Sequence, residues 1–199
     1  MARDDARRND PHSRAVDTLI RAGRKAEIAD LYGATAKRAL AAYAAIREDE
    51  GRTPEWKAEQ LDRTYNSFRA EVITKVVEKA RSADADDQRD AAQVFGVRGL
   101  PGDAASLAIS ARDAADRVAQ TSSVDDLRDL LERATRVGDE VLARAVAQRA
   151  VDIVAPSVLN DFAATREHLR PAAERLWSRA RRGDEGSMDL SLRLLGIKP

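Results

Sequence analysis

The sequence contains no cysteine, which excludes disulfides, thiol nucleophiles and thiolate metal sites together. Aromatic residues make up only 4% of the chain, and there are two histidines. His12 and His168 lie far apart, and neither stands at the spacing of a metal-ligand or catalytic pair. No serine sits in a strand–turn–helix elbow, so no nucleophilic triad can be assembled. No apolar run approaches the roughly 20 residues of a membrane span. The opening Met1-Ala2-Arg3-Asp4-Asp5 is acidic and leads into no apolar stretch, unlike a signal peptide. The expected location is therefore the cytoplasm, with no membrane partner. An excess of positive charge is also missing: 34 Lys and Arg face 34 Asp and Glu. A dedicated binder of nucleic acid or of a membrane surface needs a cationic excess to meet phosphates.

What remains is rich in Ala, Arg and Leu, all good helix formers. Hydrophobic residues reach 43%, with 10 Gly and 6 Pro among 199 residues. Much of the apolar fraction is Ala, which buries little area, so Ala-lined helices must approach closely to gain from packing. The fold class expected is all-α: a long antiparallel helical hairpin followed by a bundle of shorter helices.

Residues 1–11 read as a flexible arm ending at Asp10-Pro11, and residues 12–81 as the long hairpin. The first arm runs from His12 to about Glu48, with Val16, Leu19, Ile20, Ile28, Leu31, Tyr32, Ala36, Ala39, Leu40, Tyr43 and Ile46 at three- and four-residue steps. Gly23 and Gly33 weaken that pattern locally. Asp49-Glu50-Gly51-Arg52-Thr53-Pro54 marks the turn, with Gly51 closing one helix, Thr53 capping the next and Pro54 at its first position. The second arm carries Leu61, Tyr65, Phe68, Val72, Val76 and Ala80 on one face. Tyr32, Tyr43, Leu61, Tyr65 and Phe68 are expected to seal the two arms.

Residues 82–102 read as an acidic and Gly/Pro linker: Asp84, Asp86, Asp87 and Asp90, then Phe95-Gly96-Val97-Arg98-Gly99-Leu100-Pro101-Gly102. The acids lack the glycine and closing glutamate of an EF-hand loop and read as a solvated face. The spacing Gly96-x-x-Gly99-x-x-Gly102 lacks a Walker lysine and a preceding strand, and reads as a hinge. Residues 103–182 form the expected C-terminal bundle, with Asp103 and Ser123 as helix caps and a tight hairpin turning at Gly138-Asp139. The tail, residues 183–199, is polar up to Met188. Leu190, Leu192, Leu194, Leu195 and Ile197 then form an apolar segment suited to a partner's groove.

Arg175, Arg179, Arg181 and Arg182 gather at a helix end, where cations complement the helix dipole. They are also the candidate phosphate contacts of the alternative reading, a nucleic-acid-associated regulator. No catalytic residue, metal ligand or cofactor site is expected, and the chain reads as a non-enzymatic structural or interaction protein. Three stretches resemble helical proteins encoded among the structural genes of actinobacterial phages and prophages. They are Arg21-Ala22-Gly23-Arg24-Lys25-Ala26-Glu27, Val94-Phe95-Gly96 with Gly99-Leu100-Pro101-Gly102-Asp103, and Gly138-Asp139-Glu140-Val141-Leu142-Ala143-Arg144-Ala145. The resemblance implies a head, connector or tail-associated role inside a phage particle or its assembly. Its partners would be other proteins or further copies of the chain, in a homo-oligomer or larger assembly.

Overall fold

A computed structural model describes residues 10–121 and 123–182. The described residues form eight α-helices and one 3-10 turn, with no strand. The chain is all-α, and no described helix is long and apolar enough to cross a membrane. Among the described residues, contacts divide the chain into two units, residues 10–84 and residues 85–182.

In the first unit, α1 (Pro11–Arg21) is capped by Asp10, whose carboxylate accepts from the Ser13 amide at 3.0 Å and its hydroxyl at 3.2 Å. Ala15, Val16, Leu19 and Ile20 are buried, one face of a 3.6-residue period. The single helix expected from His12 to Glu48 is in fact two. Gly23, at φ 76°, breaks it, with the Gly23 amide on the Ile20 carbonyl and the Arg24 amide on that of Leu19, both at 2.9 Å. This Schellman pattern needs a left-handed residue, which only glycine supplies without a steric penalty. The helical periodicity continues in phase on both sides and so hides the stop.

Helix α2 (Lys25–Glu48) buries Ile28, Tyr32, Thr35, Ala39 and Tyr43 and packs on α1. Helix α3 (Pro54–Phe95) has 42 residues, about 63 Å of length. The Thr53 hydroxyl accepts from the Trp56 amide at 3.3 Å, and Arg52 lies 4.8 Å over the Trp56 ring. Side chains link α2 to α3: Lys57 donates to the Arg47 carbonyl, Arg38 to Glu71 and Lys79 to Glu27, each at 2.7 Å. The partners descend along α2 as they climb along α3. Val76, Ala80 and Ala83 close the core around Leu19, Ile20, Ile28 and Tyr32. Tyr32 and Tyr43 are buried as expected, whereas Leu61, Tyr65 and Phe68 are only half-buried.

The acidic stretch 82–93, expected as part of a linker, is instead the last turns of α3. Ala83, Asp90 and Val94 recur at helical spacing and are buried, and the aspartates there meet arginines from much later in the chain, as described below. The non-helical connection begins at Gly96 and ends at Asp103.

The second unit adds α4 (Ala104–Ala119), α5 (Val124–Val137), α6 (Glu140–Asp152), α7 (Pro156–Ala164), the 3-10 turn Glu167–Leu169 and α8 (Arg170–Arg182). Asp103, Ser123 and Asp139 cap α4, α5 and α6 by accepting from the Ser106, Asp126 and Leu142 amides. Helix α6 is the centre, packed against α4, α5, α7 and α8. Its Ala143, Val146, Ala147 and Ala150 are fully buried, and small side chains are what let four neighbours approach one helix.

Between α6 and α7, Val154 has φ 58°, the only described non-glycine residue in the left-handed region, and is half exposed. A β-branched side chain is strained there. Val154→Gly is expected to raise stability by about 1 kcal/mol, the cost of left-handed backbone for an L residue less the added chain entropy of glycine, read from urea-unfolding midpoints.

Candidate functional site

The charged side chains are where chemistry would have to reside, and in each unit they gather at helix junctions. On α6, Arg144 is 9% exposed. Its Nε donates to Glu140 Oε1 at 3.0 Å, and its Nη1 donates to the carbonyls of Gln93 at 2.9 Å and Gly96 at 2.7 Å. Those carbonyls are left open by the end of α3, so the guanidinium caps that helix from another. Arg166 completes the group from beyond α7, its Nη2 and Nε on Glu140 Oε2 at 2.7 and 2.9 Å and its guanidinium 4.4 Å from the Phe162 ring. Burial pushes the Glu140 carboxyl up, but Arg166 and Arg144 outweigh it and hold the group below its ordinary range. Gly96 lies tight against α3: a Cβ there would come within 2.2 Å of the Ala92 carbonyl oxygen.

The arginines expected as phosphate contacts divide into two pairs. Arg175 grips Asp90 with two hydrogen bonds, at 2.8 and 2.6 Å, and Asp90 is buried. Arg179 pairs with Asp87 and reaches Asp90 at 3.7 Å. Both are thus neutralised within the fold. Arg181 and Arg182 form no ion pair among the described residues. The signal for the Asp87–Asp90 partnership was the continuation of the apolar stripe through Ala83 and Val94, which marks these acids as facing inward.

The remaining candidates are placed as follows. Asp86 pairs with Arg89 at 3.0 Å, and Asp84 is exposed. Among the described residues, no group of three or more His, Asp or Glu is arranged to hold a metal ion. His168 is exposed in the 3-10 turn. Leu190, Leu192, Leu194, Leu195 and Ile197 lie outside the described residues.

In the first unit, His12 Nε2 lies 2.6 Å from the Tyr32 hydroxyl, the rings edge to face. Burial lowers the His12 pKa; Asp10 opposes this and Arg69 reinforces it. Burial likewise pushes the Tyr32 phenol up to about 12, which keeps it a neutral donor. Glu27, held by Arg24 and Lys79, falls to about 2. No known protein family, curated protein or solved structure matches the chain.

Two measurements test these junctions. Arg144→Met is expected to cost about 2–4 kcal/mol in urea unfolding, since two part-buried carbonyls lose their donor and Glu140 loses a partner. His12 has a folded pKa below its unfolded value of about 6.5, so the unfolded chain takes the proton first. Stability is therefore flat above that pH and falls as pH drops from it through the folded pKa. Unfolding midpoints across this range should show the slope, and His12→Gln should remove the part due to this residue.

Proposed function

We propose that this chain is a non-enzymatic structural or interaction protein that works through helical surfaces. The supporting observation is that the charged and titratable groups the fold buries or half-buries at its helix junctions are committed to holding helices together: His12 on Tyr32, Arg144 and Arg166 on Glu140, Arg175 and Arg179 on Asp90 and Asp87. What the described surface offers outward is contact area, including Leu40, Ile109, Val137 and Val154. In this reading α2 and α3 form an antiparallel hairpin, supported by the opposed running of their linked residues from Lys57–Arg47 to Lys79–Glu27. The hairpin presents one partner-binding element and the apolar segment Leu190 to Ile197 another.

The resemblance to proteins from phage structural gene clusters supports a virion or assembly role at a head, connector or tail. The nucleic-acid alternative is disfavoured by the pairing of Arg175 and Arg179 with aspartates, since a phosphate would have to displace carboxylates already in place.

Deleting residues 186–199 is expected to leave the helical circular dichroism signal unchanged while reducing assembly size and partner binding. Unchanged assembly and binding would remove the tail from the contact surface. For the assembly role itself, mass spectrometry of phage particles purified from a host carrying the gene should find the chain, or find it only in assembly intermediates if it acts as a scaffold. Its absence from both would end the phage reading.

A further inference from the structure

Helix α2 carries a glycine that its own chain does not explain. Gly33 lies inside the helix on the exposed side, and a Cβ built there meets nothing within 4 Å. Glycine at such a position costs about 1 kcal/mol relative to alanine. No turn, positive φ or neighbouring side chain in this structure requires it. A helix gains from a missing side chain at an exposed position when another backbone comes close.

The residues around it point to what comes close. Ala34 is beside it and Leu40, two turns on, is 58% exposed. One turn to either side stand Asp30 and Lys37, both exposed and neither in an ion pair among the described residues. Their neighbours differ in this: Glu27 is paired with Arg24 and Lys79, and Arg38 with Glu71. Asp30 and Lys37 are seven residues apart, so they share one face, and their midpoint falls between Gly33 and Ala34.

This face is self-complementary in one direction only. Laid antiparallel across a second α2, with a two-fold axis between Gly33 and Ala34, Asp30 meets the partner's Lys37 and Lys37 meets the partner's Asp30. The same register sets Ala26 against the partner's Ala41, so small residues lie on both sides of the crossing. In-register parallel packing would instead place Asp30 against Asp30 and Lys37 against Lys37, which repel. A contact in which each residue finds its counterpart reciprocally is the isologous contact of a two-fold dimer.

We propose that the outward face of α2 is a dimer contact between two copies of this chain, crossing antiparallel at Gly33 and Ala34 and locked by reciprocal Asp30–Lys37 ion pairs. It names the partner for one surface of the contact-protein reading and rests on that reading.

Sedimentation velocity on the full chain at about 100 μM should show a dimer, a concentration at which even a modest self-affinity is populated. Gly33→Leu should make it monomeric while raising thermal stability of the monomer, because leucine is the better helix former and has open space to occupy. Lys37→Glu should weaken the dimer by at least about tenfold, the scale of an opposed like charge across a contact. Combining Asp30→Lys with Lys37→Glu swaps the two charges, and should restore it. A monomeric wild type, a dimer indifferent to Gly33→Leu or Lys37→Glu, or a charge swap that fails to rescue would each overturn the proposal. A monomeric wild type that still enters phage particles would overturn this dimer and leave the contact-protein reading standing.

Discussion

The second unit depends on the buried guanidinium of Arg144. Helix α6 is lined with alanine and valine so that neighbours can close in on it, and closeness leaves little room for water to solvate a cation. The charge is tolerable because Glu140 and the carbonyls of Gln93 and Gly96 accept from its Nε and Nη1. That requirement fixes where α3 ends, since the two carbonyls must face α6. It also accounts for Gly96, whose α-carbon lies too near the Ala92 carbonyl to carry a side chain. Close packing, the buried cation and the helix stop are one arrangement seen from three sides.

The same logic runs through the other junctions. An ion pair within one helix, such as Arg136–Glu132 or Arg63–Glu59, is exposed and adds only about 0.3–0.5 kcal/mol. Pairs between elements do more, because they fix which helix lies beside which. Arg175 on Asp90 and Arg179 on Asp87 bind α8 to the last turns of α3, and Arg128 on Asp161 joins α5 to α7. With little aromatic or large aliphatic volume in the chain, such polar contacts carry much of the orientation that bulky side chains carry in other cores.

Local signals were legible in the sequence. Pro54 after Thr53 and the caps at Asp103 and Ser123 lie within four residues of what they specify and form as read, and the 3.6-residue stripes hold except at Leu40, which faces outward. Two features were not legible, for opposite reasons. Gly23 ends α1 through a backbone conformation, while the side-chain pattern continues in phase across it. The aspartates of residues 84–90 read as a solvated linker because like charges repel within one helix. The stripe through Ala83 and Val94 turns Asp87 and Asp90 inward, but their arginine partners lie 85 and more residues away, and no local period identifies them. The site residues follow the same divide: the position of Arg175 and Arg179 at a helix end was readable, and what they hold was not.

Alanine, which gives α6 its close neighbours, also lies on the outside of α2, where Ala26, Ala34, Ala41 and Ala44 face solvent. Inside, small side chains raise the packing of one helix against four. Outside, they leave a backbone that another backbone could approach, and they do so beside charges that the fold does not use. A helix meant only for solvent gains nothing from glycine and gains a few tenths of a kcal/mol from internal charge pairs. Helix α2 has the glycine and omits the pairing at Asp30 and Lys37. In the proposed dimer, the exposed face of α2 is thus built on the terms of the buried one.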